Sequence, residues 1–183
     1  MFKSYPWAAL PGKVFGRRFA DSRRVQRCAI FTTMSRLPRR FPFHGHRGPP
    51  GEFVELGESS LDVSADPWLQ NWIQLLRDHV GATPILELGC GIGKDTAILV
   101  EAGFRVVAVD LSSRAIERAR AAVPQAEFHI RDLRAAFPVT AAEVGVIIAS
   151  LSLHYFAWVE TLAIVERIRT TLRSGGALLC RLN

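Results

Sequence analysis

The sequence predicts an α/β domain built on a doubly wound, mostly parallel sheet. Three observations predict it: short apolar runs recur from Pro84 onward, most are followed by a segment of helical periodicity, and the first passes to its helix through a glycine-rich turn. Strand and helix in repeated alternation bury a parallel sheet between two layers of helices.

The elements follow in order. Asp66 before Pro67 is a capping carboxylate ahead of a proline at a first helical position, and Trp68, Leu69, Trp72, Ile73, Leu76 and Val80 recur at helical spacing, which predicts a helix of about three to four turns. Gly81 ends it. Residues 84–88 are a short apolar run ending at glycine, the pattern of a strand buried on both faces. A helix is then expected over 94–102, a strand over 105–110, a helix over 112–122 and a strand over 127–130. Residues 144–149 predict another strand, 158–173 a helix with Leu162, Val165, Ile168 and Leu172 on one face, and 176–182 a last strand.

The chain has 183 residues, 49% hydrophobic and 22% charged, a composition that fits one globular domain. Its longest uncharged stretch, between Glu143 and Glu160, is sixteen residues broken by Ser150, Ser152 and His154, short of the roughly 20 that a spanning helix needs. Neither a membrane span nor a membrane partner is predicted. Cys28, Cys90 and Cys180 are odd in number and widely spaced, so no disulfide framework or zinc site is encoded and a reducing, cytoplasmic setting fits best. No metal is expected.

The net charge of +6 is unevenly placed: residues 1–50 carry +10 and residues 51–183 carry −4. The basic segment, with its Arg17-Arg18, Arg23-Arg24 and Arg39-Arg40 pairs and its run Gly48-Pro49-Pro50-Gly51, lacks sustained periodicity. It reads as a disordered basic extension, residues 1–50, ahead of a domain over 51–183. A leader upstream of a start at Met34 competes with a transit-type targeting segment for residues 1–33. Basic tails bind phosphate backbones without specificity, so no specific nucleic-acid partner follows.

The chemistry concentrates in Glu87-Leu-Gly89-Cys90-Gly91-Ile-Gly93, where the first predicted strand meets its helix. Open α/β sheets bind ligands at the carboxyl ends of their strands, and glycine lets the backbone turn tightly and approach a ligand closely. A dinucleotide fingerprint would need glycine at Lys94, and a phosphate loop would need Lys-Ser or Lys-Thr where Asp95-Thr96 follows Lys94. Asp110 closes the next strand about 20 residues on, where a carboxylate can accept both ribose hydroxyls. Asp132 follows the third, and an ionised acid can accept a hydrogen bond from an adenine amino group.

Glu87 to Gly93, Asp110, Asp132 with Leu133, Ala149-Ser-Leu-Ser-Leu-His154-Tyr-Phe and Ser174-Gly175-Gly176-Ala-Leu-Leu resemble the successive motifs of class I S-adenosylmethionine-dependent methyltransferases, over residues 66–183. The resemblance implies the Rossmann-like methyltransferase fold and S-adenosylmethionine as cofactor. It implies that Glu87, Gly89, Cys90, Gly91 and Gly93 cradle the methionine part, that Asp110 and Leu111 hold the ribose, and that Asp132 and Leu133 meet adenine. Ser150 would join the cofactor site from the end of the fourth strand, and His154 is the candidate base. A methyl group would pass to a nucleophile on a small molecule or other acceptor; a binding module without a complete substrate pocket is the competing reading. Ser150-Leu-Ser-Leu-His154 stands where base-amino methylating relatives carry an Asn/Asp-Pro-Pro-aromatic motif, which disfavours that substrate. The family's sheet ends in a two-strand hairpin, and residue 183 falls on the strand before it. The last two strands are therefore expected to be missing, with Leu178, Leu179 and Leu182 on an uncovered edge open to self-association.

Overall fold

A computed structural model of the chain describes residues 14–21, 24–32, 68–140 and 142–182. The elements run β1 (Val14–Asp21), β2 (Arg24–Thr32), α1 (Ile73–Val80), β3 (Ile85–Leu88), α2 (Lys94–Glu101), β4 (Val106–Asp110), α3 (Ser113–Ala122), β5 (Glu127–Ile130), β6 (Val144–Ser150), α4 (Trp158–Thr171) and β7 (Leu172–Leu182). Strands β3 to β7 form the predicted parallel sheet, within an overall order β1-β2-β7-β6-β3-β4-β5.

Because successive side chains leave a strand on opposite faces, the buried runs divide cleanly between two cores. Ile85, Val106, Ala108, Val146, Ile148 and Leu179 face one core, filled from the helices by Leu76, Ile98, Leu99, Ile116 and Ala119. Leu86, Leu88, Val107, Val109, Ile147, Leu178 and Cys180 face the other, which Ile164 and Ile168 of α4 close. Strands β3, β4, β6 and β7 are thus covered on both faces. From β3 the chain winds outward through β4 and β5, then returns to place β6 on the other side of β3. That reversal places the topological switch point between the carboxyl ends of β3 and β6, where this architecture binds ligands.

Three expectations change. The first helix begins at Ile73, behind a 3-10 turn at Gln70–Trp72, because Trp68, Leu69 and Trp72 are buried by core packing that one continuous helix stripe does not supply; Asp66 and Pro67 lie outside the described residues. Strand β7 starts at Leu172, directly after α4, with an irregularity in its pairing between Val144 and Val146 and Gly175 at φ +78.

The third change concerns the basic extension, which contributes two strands. Strand β2 pairs antiparallel with β7 from Arg27↔Leu182 to Thr32↔Ala177, and β1 pairs antiparallel with β2. The remainder of residues 1–50 lies outside the described residues. Val14, Phe15, Phe19, Val25, Ile30 and Phe31 supply strand-forming residues in a sequence whose alternation the arginine pairs obscure. The unpaired N–H and C=O groups along β7 supply the partner that a local pattern cannot reveal. The β7 edge is accordingly covered, Leu178 and Leu179 are buried, and β1 is the outermost strand on that side.

Candidate functional site

The carboxyl ends of β3, β4 and β6 converge around the glycine turn. Gly89 (φ +76) and Gly91 (φ +54) adopt the left-handed conformation that disfavours other residues. The Gly89 and Cys90 N–H groups both donate to the Val109 carbonyl, at 2.8 and 3.0 Å, which ties the turn to β4. A β-carbon on Gly89 would lie 2.5 Å from Ser152 Cβ, so the end of β6 packs directly on this glycine. A β-carbon on Gly91 would meet nothing within 4 Å, so that backbone faces open space. Gly93 heads α2 and lies against Ala119 of α3.

Asp110 braces the turn from the end of β4. Its Oδ2 accepts from Gly91 N at 2.8 Å and its Oδ1 from Ser112 N at 2.9 Å, fixing the carboxylate against the glycine turn at the end of β4. Each oxygen has a second lone pair for a ligand hydroxyl. Glu87 points to the α2 face of β3, buried, and its Oε2 accepts from Thr96 Oγ1 at 2.6 Å. Burial, reinforced by the charge of Asp95, pushes its carboxyl up to about 8. Cys90 is buried, and desolvation pushes its thiol up, which makes it a packing group with no thiolate character.

The other predicted residues fall in place less uniformly. Leu111 is exposed after β4, and Ile130, in register with Asp110 at the end of β5, is a second exposed apolar residue. Asp132 lies at the same end, but both its oxygens accept from Arg134: Oδ1 from the backbone N at 2.8 Å and Nε at 3.0 Å, Oδ2 from Nη2 at 2.6 Å. Those bonds hold its carboxyl below the usual range. Leu133 packs its side chain in the second core while its carbonyl accepts from Arg167. Ser150 Oγ accepts from Arg181 Nε at 3.0 Å, and the Arg181 guanidinium lies 4.6 Å from the centre of the Trp68 ring. His154 is half-buried against Tyr155, its Nδ1 buried without a hydrogen-bond partner, and burial lowers its pKa.

Sequence reasoning missed Thr96, Arg134, Arg181 and Ser152. Ser152 carried a signal, since it stands two residues after Ser150 in the same strand-end segment; the others are recognised only through partners that the fold supplies. Among the described residues no group of three or more His, Cys, Asp or Glu is arranged to hold a metal ion, and no helix is long and apolar enough to cross a membrane.

An acid-bordered glycine turn at the switch point of a doubly wound sheet defines a Rossmann-like α/β domain. A family described as "Methyltransferase domain" matches residues 85–176, half of the chain. The trans-aconitate 2-methyltransferase of Azoarcus sp. (strain BH72) is 41% identical over 99 residues, 53% of this chain and 38% of that protein. An uncharacterized methyltransferase of Synechocystis sp., sll0829, is 30% identical over 121 residues, 64% of this chain and 55% of that protein. The crystal structure of an S-adenosylmethionine dependent methyltransferase from Mesorhizobium loti superposes with a TM-score of 0.54 at 26% identity, over 64% of this chain and 54% of that one. The chain belongs to the class I S-adenosylmethionine-dependent methyltransferase family. It spans about half the length, or less, of the relatives it matches.

Proposed function

We propose that the domain binds S-adenosylmethionine across the ends of β3, β4 and β5 and serves methyl transfer to a small-molecule acceptor on the β6 and β7 side, in the cytoplasm. The observation that carries the reading is the Asp110 carboxylate, braced by two backbone N–H groups beside the open face of Gly91. The residues fit the cofactor. Gly89, Cys90, Gly91 and Gly93, backed by Glu87, form a turn that lets a ligand reach the backbone; Asp110 takes the ribose hydroxyls; exposed Leu111 and Ile130 offer apolar surface to a flat base. Asp132 can serve adenine only by sharing oxygens that Arg134 already engages, and Leu133 only through its backbone N–H.

When bound, the cofactor supplies a methyl group activated by its sulfonium. The protein's part is alignment and exclusion of water, worth several orders of magnitude in rate. His154 is the proton acceptor in this reading: burial favours its neutral imidazole, and the unpartnered Nδ1 is a site at which an acceptor's proton can be held. Arg181, beside Ser150, sets a cation at the acceptor side. That suits a carboxylate-bearing acceptor, as trans-aconitate is for the Azoarcus relative.

Titration calorimetry tests the reading. The chain should bind S-adenosylmethionine and S-adenosylhomocysteine, NADH should not compete, and Asp110→Ala should lose about 1.5–3 kcal/mol, the value of hydrogen bonds to a charged group. Unchanged affinity in that variant removes the ribose assignment.

A further inference from the structure

The two carboxylates of the proposed cofactor site are held differently. Asp110 accepts one backbone N–H on each oxygen and keeps a lone pair on each for a ligand. Asp132, two residues beyond β5, is filled by a single neighbour. Its Oδ1 accepts from the Arg134 backbone N at 2.8 Å and from Nε at 3.0 Å, its Oδ2 from Nε at 3.0 Å and Nη2 at 2.6 Å. Those contacts occupy all of the roughly four acceptor positions that an ionised carboxylate offers. A ligand amino group therefore reaches Asp132 only by displacing the guanidinium.

The guanidinium has a second carboxylate within reach. Its Nη1 donates to Glu160 Oε1 at 3.2 Å, a longer bond than any it makes to Asp132. Glu160 stands in the first turn of α4, where its Oε2 accepts from Ala157 N at 3.1 Å, and this helix start follows His154 and Tyr155 in the chain. The loop after β5 is anchored without Arg134. Arg167 of α4 donates from Nη1 to the Leu133 carbonyl at 2.9 Å, its guanidinium lies 5.6 Å from the centre of the Phe137 ring, and Leu133 and Phe137 are buried in the second core. The loop backbone is thus held whichever acid Arg134 engages. The Arg134 side chain is 55% exposed, against 29% for Asp132 and 35% for Glu160, so both ion pairs stand in water, where each contributes little and exchange between them costs little.

We propose that Arg134 is a positioning residue that passes from Asp132 to Glu160 when an adenine amino group takes Asp132, tying the base end of the cofactor site to the start of α4; this rests on the cofactor reading above. Titration calorimetry on the full chain compares two probes: S-adenosylhomocysteine, and S-inosylhomocysteine, in which a carbonyl replaces the adenine amino group. Arg134→Ala should bind S-adenosylhomocysteine about threefold more tightly, the scale of one surface ion pair that no longer has to be displaced, with S-inosylhomocysteine unchanged. Glu160→Gln keeps an acceptor for the Ala157 N–H and removes the receiving charge. It should weaken S-adenosylhomocysteine about threefold in the original chain and change nothing in a chain that also carries Arg134→Ala. Unchanged or weaker S-adenosylhomocysteine binding in Arg134→Ala, equal tightening of both probes, or a Glu160→Gln effect that persists without Arg134 overturns the exchange. A chain that binds S-adenosylhomocysteine but fails the Arg134 comparison loses the exchange alone. If the original chain binds neither probe, the cofactor reading falls together with it.

Discussion

Glu87 has 2% of its surface exposed, and its raised carboxyl makes folding depend on pH in a definite direction. Unfolded, the group titrates near its ordinary 4.5; folded, burial and the neighbouring Asp95 move it to about 8, although the Thr96 hydroxyl favours the ionised form. Between those values the folded state binds more protons than the unfolded one, so stability falls as pH rises through the window. His154 works the other way, since its lowered pKa makes the folded state bind fewer protons, and stability on its account is lost as pH falls. Comparing the chain with Glu87→Gln isolates the carboxyl. Urea unfolding across the window from about pH 5 to about 8 should show a decline that the glutamine variant lacks, with the variant the more stable at the alkaline end. Equal slopes would mean that Glu87 is ionised in the folded protein throughout. The acids at strand ends were legible in the sequence because an apolar run ending in an acid marks its own geometry. The pairing of Asp132 with Arg134 was not, because a conformation of the connecting turn decides which acid keeps its acceptors for a ligand.

At the scale of elements, α3 shows how a local signal carries into the site. Ser112 caps the helix, its Oγ accepting from Ala115 N at 3.2 Å, while its own N–H holds Asp110 Oδ1 at 2.9 Å. Ser112→Ala removes the first bond and keeps the second. The expected cost is about 1 kcal/mol, with Ser112→Gly costing only a few tenths. The affinity for S-adenosylhomocysteine should stay close to the original, because the bond to Asp110 comes from the backbone; thermal melts paired with calorimetry separate the two effects. Periodicity located α2, α3 and α4 within a residue or two of their observed bounds. It failed where tertiary packing sets the conformation. The buried Trp68, Leu69 and Trp72 shorten α1, and the irregular pairing of β7 with β6 lets a strand begin at Leu172, where the helical pattern still continued.

For the whole molecule, the division of charge marked residues 1–50 as distinct from the negatively charged remainder, but it did not reveal that part of that segment joins the sheet. A strand added at an edge is chosen by the backbone groups it satisfies, and those lie some 150 residues away on β7. The pairing from Arg27↔Leu182 to Thr32↔Ala177 satisfies one side of β7, whose faces are already buried by helices. Deleting residues 1–33 removes β1 and β2 together. At about 1 kcal/mol for each net backbone hydrogen bond, offset by the chain entropy that the hairpin no longer loses, the expected loss is about 2 kcal/mol, or roughly 5 °C in Tm. The uncovered β7 should also pair between molecules, as bare strand edges do. Differential scanning calorimetry and sedimentation velocity on chains 1–183 and 34–183 measure both consequences. A shortened chain that melts where the full one does and sediments as a monomer would mean that the hairpin adds nothing to the sheet's stability.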